Sequence, residues 1–512
     1  MNEIDPSLRF SASNVREFDD GEELVVKDTA LSDLADRIAR EYARETVSPS
    51  MVSGLLRLGE IALITVIGIA VMFAYVWGGF GIPWRYFGAS LAGGLLFMTF
   101  AEILDAYTIR AIRNTLQTIP RIAFALLGVF STLALTGFFM KVSEDYSRIW
   151  FGSWFLLSLS ALLLVRWIMN WRVRKWARNG TIERRAVIVG GGQPAEKLIR
   201  ALERQADNDI RICGVFDDRN DDRSPPIIAG YPKLGNIEQL IEFTRRARIG
   251  MLIVSLPLNA EDRVLRMLKK LWVLPVDIRL SAHAHRLRFR PRTYSYVGSV
   301  PMFDIFDRPI RDWDSVAKRA FDIFFSLFFI VLLAPVMLAT ALAVKLTSKG
   351  PVLFVQKRHG FNNEVINVYK FRSMFVDQQD ATAKNAVTRN DPRVTPVGRF
   401  IRKTSLDELP QFFNALRGDL SLVGPRPHAM HAQTRDKLYG EVVDGYFARH
   451  RVKPGVTGWA QINGWRGEID ADEKIKKRTE FDLYYIENWS LLLDLKILFL
   501  TPIRLLNTEN AY

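Results

Sequence analysis

Cysteine is all but absent: Cys213 is the only one in 512 residues. No intrachain disulfide can form, and a cysteine-based metal site is not expected. The soluble parts are therefore expected to face a reducing compartment. The first 50 residues lack an apolar stretch, so no cleavable signal peptide is expected there. No tyrosine is followed four positions later by lysine, the pair that a short-chain dehydratase or epimerase would use for proton transfer. Negative charge is in the minority, with 55 Asp and Glu against 69 Lys and Arg, a net charge of +14. That balance favours anionic partners: nucleic acid, lipid headgroups or phosphorylated substrates. The basic residues cluster beside long apolar segments, so no nucleic acid is expected.

Apolar residues make up 49% of the chain but are unevenly spread. Four apolar segments, roughly 55–77, 86–104, 122–140 and 150–169, each approach the ~20 residues that cross a bilayer. Such lengths exceed ordinary core helices. Arg110, Arg113 and Arg121 lie between the second and third segments, and Arg166, Arg172, Arg174, Lys175 and Arg178 close the fourth. By the positive-inside rule, residues 1–50 form a cytoplasmic tail, with an amphipathic helix near 31–43, and everything after Trp171 is cytoplasmic. The expected organisation is a tail (1–50), four transmembrane helices (51–170), a Rossmann-like α/β domain with linker (171–312) and a C-terminal α/β domain (313–512).

Within 183–282, short β-branched runs alternate with helical patterns, the rhythm of a parallel α/β sheet. Gly190-Gly191-Gly192-Gln193-Pro194-Ala195 fits G-x-G-x-x-A between a strand and a helix, and Asp217 follows the next strand at a spacing suited to a ribose contact. Gly190, Gly192 and Asp217 are thus candidate nucleotide ligands, although the same fold also serves as a packing or regulatory module. Asp217-Asp218-Arg219-Asn220-Asp221-Asp222 imitates a metal-diphosphate motif and Asp470-Ala471-Asp472 imitates D-x-D. Their polar surroundings favour a solvated turn and a helix surface.

Residues 301–313 read as a linker. Residues 320–344 form one apolar run interrupted by Pro335, with Lys318 and Arg319 before it and Lys345 and Lys349 after it. Cations on both flanks favour a segment that enters the bilayer and returns, and Pro335 supplies the break because it lacks an amide hydrogen.

The densest chemistry follows. Lys370-Phe371-Arg372, Asp391-Pro392-Arg393, Arg399 and Arg402 precede Ser405-Leu406-Asp407-Glu408-Leu409-Pro410. Pro425-Arg426-Pro427 and the run from Lys453 to Arg466 complete the set. Phosphoryl transfer needs cations on the phosphates, a metal for developing charge and an aligned nucleophile. Arginine forks match phosphate oxygens, and flanking prolines fix the direction of Arg426. A carboxylate can attack phosphorus directly. Asp407 and Glu408, adjacent at a turn, should point to different sides and hold different roles, with Ser405 as a helix cap.

On these motifs, residues from about 313 to 504 resemble the catalytic domain of the monotopic phosphoglycosyl transferases, the bacterial sugar transferase family. The whole chain resembles its large subgroup, the undecaprenyl-phosphate glucose or galactose phosphotransferases of exopolysaccharide synthesis. The resemblance implies a UDP-hexose donor, undecaprenyl phosphate as acceptor, release of UMP, and a covalent phosphosugar on Asp407. It further implies Mg²⁺ held with Asp407 and Glu408, and phosphate contacts from Lys370, Arg402, Arg426 and Arg466, with Arg372, Arg393 and Arg399 as further candidates. It also implies a homodimer in the bacterial inner membrane, its catalytic domain cytoplasmic, and a re-entrant helix hairpin in contact with membrane lipid. Glucose is favoured by the stretch from Gly458 to Asp470. The family's helix break is often Ser-Pro, whereas here it is Ala334-Pro335. The alternatives are a D-x-D glycosyltransferase that releases UDP and a non-catalytic assembly scaffold.

Overall fold

The computed structural model describes residues 14–15, 18, 29–43, 48–78, 83–108, 111–112, 115–178, 184–204, 210–219, 224–256, 261–281, 294–297, 300–376, 391–428, 433–434, 437–443, 445–467 and 471–506. It divides into two compact units, one holding residues 45–184 and 209–211, the other the rest. Arg110 and Arg113 of the charge pattern lie outside the described residues, as do Asn220, Asp221, Asp222 and Asp470 of the two metal-like motifs.

Helix α1 (Asp33–Glu41) belongs to the second unit; the first unit holds α2 (Pro49–Val71), which continues through a π turn at Met72–Val76. It is followed by α3 (Trp84–Ile103), α4 (Thr115–Phe139) and α5 (Arg148–Arg178). All four match the expected apolar segments and are long and apolar enough to cross a membrane. They share a core of Ile64, Met72, Phe97, Phe130, Trp150 and Trp154. Buried indole N–H groups need partners where no water is present. Trp154 donates to the Ile64 carbonyl at 2.9 Å and Trp150 to the Gly68 carbonyl at 2.8 Å. Gly93 permits this approach, since a Cβ there would sit 2.5 Å from the Trp154 ring. Outward positions such as Val66, Phe124, Leu135 and Leu156 are exposed and apolar, as a lipid-facing surface requires.

One ion pair is sealed inside these helices. Arg166 reaches Glu60 at 2.6 Å and the Ala106 carbonyl at 2.7 Å, and both charged residues are buried.

The second unit begins with α1 (Asp33–Glu41), capped by Ser32. The amphipathic helix expected near 31–43 is present and docked: Ala35 and Ala39 are buried in the α/β core, Asp36 pairs with Arg246 at 2.8 Å, and Ser32 donates to the Leu234 carbonyl. The α/β domain contains β1 (Arg184–Val189), α6 (Gln193–Glu203), β2 (Ile210–Phe216), β3 (Ile227–Ile228), β4 (Tyr231–Gly235), α7 (Ile237–Arg246), β5 (Met251–Val254), α8 (Glu261–Leu271) and β6 (Asp277–Ser281). Its sheet runs β3-β4-β2-β1-β5-β6-β8-β7, where β7 is Tyr294–Val297 and β8 is Val300–Phe306. The centre is parallel, as the buried β-branched runs predict. The expected linker is corrected: β8 pairs antiparallel with β6, between it and β7, and adds Phe303 and Phe306 to the core. Pro301 is tolerated at the start of this strand.

Helix α9 (Asp312–Thr347) is 36 residues long and remains helical through Pro335, so the proline does not interrupt its helical course. Then come the hairpin of β9 (Leu353–His359) and β10 (Val365–Phe371), followed by α10 (Pro396–Lys403) and α11 (Gln411–Arg417). Strand β11 (Ser421–Val423) pairs in parallel with β12 (Gly455–Thr457), and α12 (Asp472–Glu487) and α13 (Leu491–Leu506) follow.

Replacing Glu60 with alanine leaves Arg166 buried and unpaired, a loss of about 3–5 kcal/mol. Glu60→Ala is expected to lower the thermal midpoint of the detergent-solubilised protein, and an unchanged midpoint would show the pair to be dispensable.

Candidate active site

The Asp407–Glu408 turn is placed by its neighbours. Arg319 of α9 donates to the Ala415 and Leu416 carbonyls at 2.7 and 2.6 Å, satisfying the open end of α11. Asn414, fully buried, accepts from the Tyr369 amide at 2.9 Å and donates to the Asn367 carbonyl at 2.7 Å, locking α11 to β10. Lys370 on β10 is thereby set against the 3₁₀ turn Leu406–Glu408 that precedes α11. Ser405 enters this turn at φ 60°, a left-handed conformation that costs a non-glycine residue about 1–2 kcal/mol. Its expected capping role is corrected, since its side chain makes no cap bond and instead accepts from Arg466.

The two carboxylates do take different roles. Glu408 is clamped, with Lys370 at 2.8 Å and Arg426 at 2.5 and 3.2 Å. Burial alone would raise its pKa, but Arg426 and Lys370 outweigh it and hold the group well below the usual range. Asp407 is buried, and its carboxylate makes no hydrogen bond or ion pair among the described residues. Burial raises its pKa, with the negative Glu408 adding to the rise and Lys370, Arg402 and Arg426 opposing it. The result is one clamped carboxylate beside one that makes no hydrogen bond among the described residues, with four basic side chains around the pair.

Of the candidates, Lys370, Arg402, Arg426 and Arg466 surround this pair. Three others do not join it. Arg372 is buried and donates to the Ser348 and Lys349 carbonyls at 2.7 and 2.6 Å, which caps the end of α9. Arg393 is paired with Asp391 at 2.6 Å. Arg399 is exposed on α10. In the α/β domain, Gly190 and Gly192 adopt φ of 95° and 80°, as the tight turn requires. The Gly191 amide, however, donates to Asp217 at 2.8 Å, and Arg219 closes over both by pairing with Asp217 and donating to the Gly191 carbonyl.

Sequence reading missed the layer behind the site. Arg449 is buried and donates to Asp482 at 2.5 Å and to the Arg426 carbonyl at 2.9 Å. It also approaches His428 Nδ1 at 2.5 Å, and burial together with Arg449 keeps His428 neutral, its pKa well below the usual value. Arg358 donates to the Pro427 carbonyl. Together these hold the backbone carbonyls of Arg426 and of Pro427 that follows it. Sequence reading also missed Arg504 of α13. It lines a cavity of about 130 Å³ with Ser405, Glu408, Leu409, Phe412, Arg426 and Arg466. Nothing local marks any of these; the partners named for Arg449 and Arg358 lie between 21 and 69 residues away in the chain.

A free buried carboxylate beside a clamped one, ringed by arginines and a lysine, is the equipment of a phosphoryl-transfer enzyme. The family profile described as "Bacterial sugar transferase" matches residues 313–508, and one described as "CoA-binding domain" matches 102–282. The UDP-glucose:undecaprenyl-phosphate glucose-1-phosphate transferase of Xanthomonas campestris pv. campestris is 33% identical across 94% of this chain and 100% of its own length. The protein of the same description in Escherichia coli strain K12 is 34% identical over 92% and 99%. The undecaprenyl-phosphate galactose phosphotransferase of Salmonella typhimurium is 29% identical over 76% and 82%. The chain belongs to the bacterial sugar transferase family and is a membrane phosphoglycosyl transferase.

Glu408→Gln removes a neighbouring negative charge and frees Lys370 and Arg426 to act on Asp407. The acidic limb of the pH–rate profile is expected to move to lower pH as turnover falls. An unmoved limb would show that the two carboxylates are not coupled.

Proposed function

We propose that the enzyme transfers glucose-1-phosphate from UDP-glucose to undecaprenyl phosphate through a covalent intermediate on Asp407, thereby initiating a surface glycan. An Asp407 oxygen attacks the sugar-linked phosphorus. The P–O bond to the uridine-bearing phosphate breaks, and UMP leaves with the electron pair. An oxygen of undecaprenyl phosphate then attacks the same phosphorus, the Asp407 O–P bond breaks, and the free carboxylate returns. The observation that carries this reading is the unpaired state of Asp407 beside the saturated Glu408. Glu408 serves to fix Lys370 and Arg426, while Arg402 and Arg466 complete the cationic ring around the phosphates.

The donor set also fits a single Mg²⁺. That ion needs only one or two protein carboxylates when phosphate oxygens and water complete its shell. Asp407 can offer one; Glu408, saturated by its cations, is a poor second. When bound, Mg²⁺ would neutralise charge on the diphosphate.

Both ends of α9 are tied to the same catalytic body. Lys318 reaches the Val423 carbonyl and Asp494 at 2.9 and 2.7 Å, while Ser348 beyond the far end is held by Arg372. Between them Phe324, Val331, Leu338 and Leu342 are exposed. A straight helix of this length would extend about 54 Å. Two anchored ends with an apolar middle support a segment that dips into the membrane and returns, leaving the site on the cytoplasmic face, where UDP-sugars are found. The names of the relatives that span nearly the whole chain favour glucose as the sugar. The D-x-D alternative has less support: Asp472 begins α12, and none of the bonds described around Asp407 and Glu408 involves it.

Asp407→Asn is expected to abolish UMP release and the retention of labelled glucose on the protein, while membrane insertion is unchanged. Turnover equal to wild type would rule out the covalent scheme, and release of UDP would favour the alternative. Asp407 attacks as the anion, and its pKa is pushed up to about 6. The rate of the first step should therefore rise with pH through about 6 and fall roughly tenfold per unit well below it. A profile flat from pH 5 to 8 would count against Asp407 as the nucleophile.

A further inference from the structure

The cavity beside Glu408 has two kinds of lining. Arg426, Arg466, Arg504 and Ser405 are polar; Leu409, Phe412, Val456 and Ile462 are apolar. Its volume, about 130 Å³, is well below the roughly 300–1,000 Å³ of pockets that engulf a drug-sized ligand. A nucleoside diphosphate sugar, large and polar throughout, suits neither its size nor its apolar wall. A phosphate on a hydrocarbon chain suits both, since only the headgroup and the first carbons need to enter.

The surroundings lead from this cavity to an apolar surface. Phe412 stacks on Phe329 of α9 at 5.5 Å, joining the apolar wall to the helix proposed to lie in the membrane. Along α13, Thr501 and Arg504 face the cavity, whereas Leu492, Phe499 and Ile503 are 77, 66 and 62% exposed. Exposed apolar groups concentrated on one helix mark a contact surface rather than a solvated one. Arg504 therefore stands where apolar surface meets the reactive cluster. Arginine there can hold its stem against hydrocarbon and offer its fork to phosphate.

We infer that this cavity receives the phosphate of the lipid acceptor, and that Arg504 is a binding residue for the acceptor and not for the donor. The inference rests on the proposed reaction, in which the second step needs a polyprenyl phosphate beside Asp407. The acceptor head enters between Arg504 and Arg466, and its hydrocarbon follows Leu409 and Phe412 out to the surface of α9 and α13. The two substrates thus approach one carboxylate pair by different routes, a nucleotide from water and a lipid from the bilayer.

The test separates the half-reactions in the full-length protein in detergent. Arg504→Ala is expected to raise KM for undecaprenyl phosphate about tenfold or more, the loss of one charge-assisted phosphate contact. Labelling of the protein by radiolabelled UDP-glucose without acceptor should stay within about twofold of wild type, and Arg504→Lys should recover much of the acceptor KM. An unchanged acceptor KM would overturn the inference, as would a labelling step slowed as much as the overall reaction. Wild-type protein that turns over yet never becomes labelled would instead refute the covalent scheme, and the acceptor KM would still decide the role of Arg504.

Discussion

The clamp of Lys370 and Arg426 on Glu408 organises the catalytic domain. Two adjacent buried carboxylates repel one another, and the interior cannot stabilise both equally. Here the cations are assigned to one, which leaves its neighbour charged, buried and unengaged. A buried ion pair adds little net stability because desolvation offsets much of the attraction. Its value here lies in direction: it fixes where the cations of Lys370 and Arg426 stand, the kind of preorganisation that makes electrostatic stabilisation effective.

That clamp depends on elements distant in sequence. Arg319 ties α9 to the end of α11, and Asn414 ties α11 to β10. The strand carrying Lys370 and the turn carrying Glu408 are thus fixed to each other and to the start of the apolar helix. From the other side, the Arg449–Asp482 pair holds the Arg426 carbonyl. The long apolar helix and the turn that carries Asp407 and Glu408 are thus linked through the bonds of Arg319 and Asn414.

Much of this was legible in the sequence, and the remainder was hidden for identifiable reasons. Hydropathy marked all four helices of the first unit and the apolar part of α9, because length and uniform apolarity are local properties. Asp407, Glu408, Lys370, Arg426 and Arg466 stood out because their residue types match the needs of phosphoryl transfer. The same reasoning selected Arg372 and Arg393, since a guanidinium's type does not reveal whether it will meet a phosphate, a helix end or its own neighbour Asp391. Strand β8 and the docking of α1 escaped notice because each depends on a long-range partner, β6 in one case and Leu234 with Arg246 in the other. Arg504 escaped notice at the end of an apolar run, where it reads as an interfacial anchor.

The α/β domain shows how a nucleotide-binding turn can keep its geometry while its binding position is filled from within. A glycine turn at a helix start attracts anions because its amides point outward and the helix dipole favours negative charge. Here the anion is the carboxylate of Asp217, held on the Gly191 amide and neutralised by Arg219. Burial alone would raise the Asp217 pKa, but Arg219 outweighs it and the group remains ionised. Pro194, in the first turn of α6, removes a further amide from the cradle. A phosphate arriving at this loop would face a fixed negative charge in the place it would occupy. The Gly191 amide is therefore satisfied from within the fold, and that donor is taken before any ligand arrives.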